Sequence, residues 1–505
     1  MTSIRSWLDR VTGRVTMYRL MVLVLTSIAL IALILSFIPG GLAYSSLAVI
    51  ASLAMFLVAT YLSNRLVAAL FRVTPHAESS VITALLLFFL FRPSFAPADL
   101  GVAALIAVIA SLSKYVLAIR GRHIFNPVAI AAVIIALTQL SAALWWVATP
   151  YLLAPVVIGG FLVVYRLRRF ALVGTFVVVA FVLTVVRFTT QGLDPLAAAW
   201  LALGSAPLVF FAVFMLDEPL TQPPLRWQQL AVAAVVGVIY SVSFSFGPIY
   251  TSPELALVVG NLIAFFFGQK RAIRLDFIGS RQLTPTTQEF SFLPARGVSY
   301  RAGQYVELTL PHEKADARGV RRIFSVTSPP AGSKLSIGLK VPPTSSSFKR
   351  AIGELSPGDR LLATSVGGDF VLPRDPATPL LFVAGGIGIT PFISHLRHLR
   401  DSADDRDVVL VYAVSDEAEL AYADELENLG VHVLVVAPTR PSRLPVGWDY
   451  LGAGRLTGTV LADRVPRLTS RAAYVSGPPA MVSSLKRDLR ALGLRRIRSD
   501  YFSGY

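Results

Sequence analysis

Four short passages in the second half of the chain hold residue types that can do redox chemistry together. Arg322-Ile323-Phe324-Ser325 follows Gly303-Gln304-Tyr305. An arginine grips a pyrophosphate through its planar fork. An aromatic two residues on shares the strand face and can cover an isoalloxazine ring. The adjacent hydroxyl can donate to flavin N5. Ser345-Ser346-Ser347-Phe348-Lys349 opens a helical run, where hydroxyls cap the helix and free amides can take a phosphate. Gly385-Gly386-Ile387-Gly388-Ile389-Thr390-Pro391 directly follows an apolar run, and glycines there let the backbone approach a second pyrophosphate. Ser476-Gly477-Pro478-Pro479-Ala480-Met481 also ends an apolar run, and the chain closes on Asp500-Tyr501-Phe502-Ser503-Gly504-Tyr505. Taken singly, each passage also reads as a plain strand, cap, turn or packed tail.

The elements that must position these residues are legible around them. Alternating apolar residues at 274–279, 287–292 and 305–310, punctuated by Pro and Gly, predict an antiparallel β-barrel domain over 271–374. Over 375–505, apolar strands at 380–384, 408–414, 431–437 and 472–476 alternate with helical runs. That pattern predicts an α/β Rossmann-like domain with a parallel, doubly wound sheet. Both glycine passages then fall at carboxyl ends of strands, where open sheets bind ligands. On these four motifs, in order, residues 275–505 resemble the ferredoxin–NADP reductase superfamily. The resemblance implies FAD on the barrel, held by Tyr305, Arg322, Phe324 and Ser325, with Ser346 and Ser347 near its pyrophosphate. It implies NAD(P)H along Gly385, Gly386, Gly388, Thr390, Pro391, Gly477 and Pro478. It puts Ser325, Ser476 and Phe502 at the hydride-transfer centre, and Tyr505 beside the flavin. Phe324 stands where that family more often has tyrosine, and Ser476 where it more often has cysteine. The acidic run Ser415-Asp416-Glu417-Ala418-Glu419 after the second strand would repel a 2′-phosphate, which favours NADH over NADPH.

The first half is of another kind. The 505 residues include 46 Lys/Arg and 30 Asp/Glu, a net charge of +16, yet only 15% are charged and 54% are apolar. Soluble chains carry about 25% charged residues. This composition argues against an ordinary soluble enzyme and excludes a disordered chain. Apolar stretches run at 17–38, 44–62, 78–91, 98–118, 127–146, 152–165, 170–187, 196–215, 227–247 and 253–268. A spanning helix needs about 20 apolar residues, so residues 1–270 are predicted to form a polytopic α-helical membrane domain of about ten spans. The third, sixth and tenth stretches are short enough to be tilted, broken or re-entrant. Arg5, Arg10, Arg14, Arg19, Arg65, Arg72, Arg120, Arg122, Arg166, Arg168, Arg169, Arg226, Lys270, Arg271 and Arg274 fall in one set of alternate connections. Only Arg92 and Arg187 fall in the other. This asymmetry predicts a multi-pass plasma-membrane protein, embedded in lipid, with both termini and the soluble half cytoplasmic. The basic excess is then a topology signal and gives nucleic-acid binding no support. The first apolar run lacks a small-residue cleavage site, so no cleavable signal peptide is expected.

A hydrocarbon layer about 30 Å thick calls for an electron carrier inside it. Cysteine is absent, which removes thiolate iron–sulfur clusters. Of the six histidines, only His76 and His123 lie in the first half, both in connections, which does not make a bis-histidine heme. Flavin or quinone remains, with no metal site. Three passages bear on this: Ser80-Val81-Ile82-Thr83-Ala84-Leu85-Leu86-Leu87, Gly121-Arg122-His123-Ile124-Phe125-Asn126-Pro127 and Met215-Leu216-Asp217-Glu218-Pro219-Leu220-Thr221. Together they resemble the family of the B subunit of the sodium-pumping NADH:quinone oxidoreductase and the D subunit of the Rnf complex. The resemblance implies a membrane flavin, FMN or riboflavin, with His123, Asn126 and Thr221 on it. That family's covalent FMN hangs from a threonine. In Thr190-Gln191-Gly192-Leu193-Asp194-Pro195, Asp194 takes the aligned place, and an aspartate cannot form that ester. The membrane flavin is therefore expected to be non-covalent. The resulting expectation is a transmembrane NAD(P)H oxidoreductase. Electrons would pass through FAD and the membrane flavin to an extracytoplasmic flavoprotein or a quinone. A redox-coupled ion transporter and a membrane-anchored NAD(P)H:quinone reductase remain open alternatives.

Overall fold

The computed structural model describes residues 8, 12, 15–73, 77–119, 122–268, 272–313, 315–316, 319–342 and 345–502. Tyr505, His76, Arg5, Arg10, Arg14, Arg120, Gly121, Lys270 and Arg271 lie outside them. The chain divides into two compact units, Met1–Arg271 and Ala272–Tyr505.

The first unit is helical. Its helices are α1 (Met17–Ser36), α2 (Ser46–Leu70), α3 (Ala77–Leu90), α4 (Pro97–Val116), α5 (Pro127–Leu137), α6 (Pro150–Leu167), α7 (Phe170–Thr190), α8 (Pro195–Gly204), α9 (Leu208–Phe211), α10 (Arg226–Ser241) and α11 (Pro253–Phe267). Their starts are local in origin. Thr16, Ser45, Asn126, Asp194 and Ser252 accept backbone amides of the first turn, and a proline opens five of the helices. Close approaches need small residues. A Cβ on Gly160 of α6 would lie 2.5 Å from Val213, and one on Gly260 of α11 would lie 2.3 Å from Val236 of α10.

Every one of the ten apolar stretches contains helix, but they are not ten full spans. Among the described residues, five helices are long and apolar enough to cross a membrane: α1, α2, α4, α6 and α7. A sixth forms if α8 and the segment Leu208–Leu216, bent by 46°, count as one. The sixth stretch, expected to be short, gives the 18-residue α6 despite Pro155 inside it. The fifth, expected to be long, stops at Leu137 after 11 residues. The reason lies beyond the stop. Gln139 and Trp145 take left-handed backbone angles, and the chain turns back so that the amides of Leu144 and Trp145 both donate to Leu90 O at 2.8 Å. Trp146 Nε1 donates to Phe88 O and Trp145 Nε1 to Glu254 Oε2 at 3.1 Å. Two indole N–H groups thus find partners that a continuous helix would not offer. The ninth stretch ends at Ser241, and a small hairpin, Ser245–Phe246 with Ile249–Tyr250, follows it.

The second unit has two parts. The first is a six-stranded antiparallel sheet, with strands labelled β1 (Ile273–Thr284), β2 (Thr287–Pro294), β3 (Tyr305–Thr309), β4 (Arg321–Ser325), β5 (Leu335–Lys340) and β6 (Arg360–Gly367). Its order is β4-β3-β6-β1-β2-β5, and a bridge from Val326 to Ile337 brings β4 round to β5. Its interior holds Phe277, Phe290, Phe292, Val306, Leu308 and Ile337. A short helix, α12 (Ser347–Gly353), covers one end, with Phe348 in the core. The second part is a six-stranded sheet of β7 (Leu380–Gly385), β8 (Val408–Ala413), β9 (His432–Val436), β10 (Trp448–Gly452), β11 (Ala472–Gly477) and β12 (Ile497–Tyr501). All neighbours are parallel, in the order β10-β9-β8-β7-β11-β12. Helices α13 (Thr390–Asp401), α14 (Ala423–Asn428), α15 (Gly458–Arg464) and α16 (Pro479–Ala491) connect and cover it. The strand order reverses between β7 and β11, and that is where open sheets carry their ligands.

Candidate functional site

The two glycine passages meet at the reversal. Residues 385–391 leave β7, and 476–478 leave its neighbour β11. A 3-10 turn, Gly386–Ile389, leads into α13, which has no side-chain cap and carries Pro391 in its first turn. Its N-terminus lies at the carboxyl end of β7, the end at which a helix can receive an anion. The glycines serve different ends. A Cβ on Gly388 would lie 2.5 Å from Ser476 O, one on Gly385 2.9 Å from Pro478, and one on Gly477 3.0 Å from Gly385 Cα. These three let the loops interlock. Gly386 alone combines a positive φ of 53° with open space. Thr390 is fully buried, and its hydroxyl donates to Ile387 O at 3.1 Å.

Ser476 is also fully buried, and its hydroxyl has no hydrogen-bond partner among the described residues. Such an orphan next to the open Gly386 edge fits a nicotinamide dinucleotide. Next along the sheet, Asp500 pairs in register with Ser476, and Tyr501 with Gly477. Burial pushes the Asp500 carboxyl up to about 6. The tail is fastened by Phe502, whose amide donates to Gly477 O at 2.9 Å. Phe502 is half-buried, and Tyr505 lies outside the described residues. Asp500 is a site neighbour that the motif reading passed over. Its only signal was its place directly before an aromatic tail.

On the barrel, Arg322 and Phe324 share one face of β4, while Ile323 between them is exposed. The Arg322 guanidinium carbon lies 5.4 Å from the centre of the Phe348 ring, and Phe324 lies 5.7 Å from that same ring. Asp316 organises this corner. Its carboxylate accepts from Arg322 at 3.4 Å and from the Ser347 amide at 3.1 Å. The Ser347 hydroxyl accepts from the Asp316 amide and sits 2.9 Å from His312 Nε2. Ser346 caps α12 through Lys349 N. Tyr305 pairs with Ser325 across β3 and β4, and its ring rests on Gly368, a residue at φ 108°. A guanidinium and an aromatic on one strand face, with the buried Ser325 hydroxyl next to them in sequence, are residue types that fit FAD.

The acidic run after β8 is largely committed to the protein. Glu419 accepts from Thr286 at 2.7 Å and pairs with Lys340 at 3.3 Å. Glu417 accepts from Ser442 N at 2.8 Å. Asp416 remains exposed at the start of the turn.

In the first unit, two of the three passages meet at one carboxylate that was not among the expected flavin residues. Glu218 holds His123 Nε2 at 2.9 Å and accepts from Asn126 Nδ2 at 2.8 Å. Asn126 Oδ1 caps α5, and its own amide donates to Asn261. Thr221 is buried, and its hydroxyl donates to Glu218 O. The passage at 80–87 is held elsewhere: Asn64 of α2 donates to Ser80, and Lys114 of α4 donates to Ser79 just before it. Asp194 accepts the amides of Leu196 and Ala197 as the cap of α8.

The family model described as the oxidoreductase NAD-binding domain matches residues 382–487. An NADPH oxidoreductase of Mycobacterium tuberculosis is 31% identical over 221 residues, covering 42% of this chain and 55% of that protein. The reductase component of propane 2-monooxygenase from Rhodococcus jostii is 28% identical, covering 39% and 53%. The NADH oxidoreductase HCR of Escherichia coli is 26% identical, covering 44% and 65%. The chain therefore spans about half to two thirds of these relatives. Its C-terminal half thus matches an oxidoreductase NAD-binding domain and is similar to NAD(P)H oxidoreductases and reductase components.

Proposed function

We propose that the chain is a membrane-bound, FAD-dependent NAD(P)H oxidoreductase. The observation that carries this is the meeting of the 385–391 and 476–478 loops at the reversal of the parallel sheet, beside an FAD-type strand. Arg322, Phe324 and Ser325 would hold FAD, with Tyr305 and the 346–347 turn. The open edge at Gly386, the α13 amides and Ser476 would hold NAD(P)H. When bound, FAD supplies the chemistry that accepts a hydride and releases electrons singly. The residues orient the two partners and keep water out. Exposed Asp416 supports NADH as the donor.

The first unit supports the membrane part of the reading. Only 22–39% of each long helix's apolar window is buried, which supports a hydrocarbon surrounding for these helices. The Arg-rich connections support a cytoplasmic position for the reductase module. The His123–Asn126–Glu218 cluster is the proposed seat of a non-covalent flavin, as in the resemblance to the sodium-pumping oxidoreductase B subunit. An extracytoplasmic flavoprotein or a quinone would then take the electrons. Purified full-length protein in detergent should be yellow and should bleach on anaerobic addition of NADH. A preparation that stays colourless after incubation with flavin would overturn the proposal.

A further inference from the structure

Helix α13 begins in the dinucleotide loop and then runs along the barrel. Four of its residues dock there. The Thr390 methyl and the Tyr422 hydroxyl crowd Gly338 of β5, where a Cβ would lie 2.8 and 2.6 Å from them. Ser394, fully buried, donates to Ser328 O at 2.8 Å. His395 Nε2 lies 2.8 Å from Phe370 O, against Gly303, which has no room for a Cβ. Arg397 donates to Thr327 O at 3.0 Å and to Glu289 Oε1 at 2.9 Å, while its other edge grips Glu425 at 2.6 and 2.8 Å. Glu289 is buried and also accepts from Thr327 Oγ1 at 2.7 Å. Tyr422 reaches this cluster from a left-handed backbone at φ 64°, a strained angle for a non-glycine residue.

Thr327 and Ser328 are the second and third residues after Ser325, on the same stretch of chain. One helix therefore joins the end of the flavin strand to the end of the nicotinamide loop. We propose that α13 is a spacer, and that Ser394 and Arg397 are positioning residues that fix the gap across which hydride passes. This rests on the reductase reading above. In the step concerned, a C–H bond of NAD(P)H breaks, the hydride and its electron pair go to FAD, and NAD(P)H is oxidised as FAD is reduced. Hydride transfer demands close contact, and a misplacement of about 1 Å can cost about a hundredfold in rate.

The test uses the full chain in detergent and three variants: Ser394→Ala, Arg397→Met and Gly338→Ala. Gly338→Ala removes no polar group and wedges the two surfaces apart, so it carries the test if Arg397→Met fails to fold. Anaerobic stopped-flow reduction should show the limiting rate at saturating NADH falling at least tenfold in Gly338→Ala and Arg397→Met, and about threefold in Ser394→Ala. FAD content, NADH dissociation constant and reduction by dithionite should stay within twofold. In the nucleotide-free protein, amide exchange at 326–329 should rise in the same variants. Faster exchange with an unchanged limiting rate would overturn the spacer alone. Absence of NADH reduction in the unaltered chain would overturn the reductase reading instead.

Discussion

His395 shows what burial does to a titratable side chain that the site does not use. A carbonyl oxygen can only accept, so Nε2 carries the proton toward Phe370 O and Nδ1 is bare. Phe370, Phe382, Phe392 and Tyr474 surround the ring. Burial brings the imidazole from 6.5 down to about 3. The fold therefore favours the neutral ring. It gains stability above pH 6.5 and loses it as the pH falls toward 3. Thermal unfolding of the full chain should show this acid loss. His395→Gln should be less stable at pH 7 by about 2 kcal/mol and should have a flatter profile across that window. An equally steep profile in the variant would assign the acid loss to other groups. Glu289 adds to the acid loss: burial pushes its carboxyl up, but Arg397, Thr327 and Arg281 hold it below the usual range. None of this was legible in the sequence, where His395 is one polar residue on an amphipathic helix.

At the scale of elements, the sequence was informative wherever strands are apolar throughout. The runs at 380–384, 408–414 and 472–476 are central strands with both faces covered, and they read plainly. Strands β10 and β12 escaped because they are edge strands of mixed character, Trp448-Asp449-Tyr450 and Ile497-Arg498-Ser499-Asp500. The glycine loop was legible as a loop, but its internal division of labour was not, since the contacts cross from one passage to the other. That division can be tested. Gly388→Ala pushes a Cβ into the backbone of Ser476 and Gly477, and overpacking of that kind costs about 1–3 kcal/mol. It should lower the thermal midpoint and weaken NADH binding together. Gly386→Ala meets open space and carries only the strain of its φ of 53°, about 1–2 kcal/mol. Equal damage from both substitutions would contradict the interlocked arrangement.

At the scale of the molecule, two chemistries share one chain, and each half was legible to a different depth. Hydropathy found all ten helical stretches but could not say which would run unbroken, because 127–146 is apolar on both sides of the turn at Gln139. Family motifs pointed to His123, Asn126 and Thr221 but passed over Glu218, the group that joins them. If that carboxylate seats a second flavin, acid-precipitated protein should release two flavins per chain and leave none on the polypeptide. Glu218→Gln, which cannot accept from both donors as an anion, should release one, with the FAD retained. Two flavins released from the variant would remove Glu218 from the seat.

The interlocking of Gly385 and Gly388 with 476–478 also bears on descent. Two passages far apart in the chain meet with no space for a single added methyl group, so neither can drift alone. A chimera that imports one loop from a related reductase should misfold at this edge. Exchange of both loops together should restore it. The pair is one heritable part, carried in two pieces.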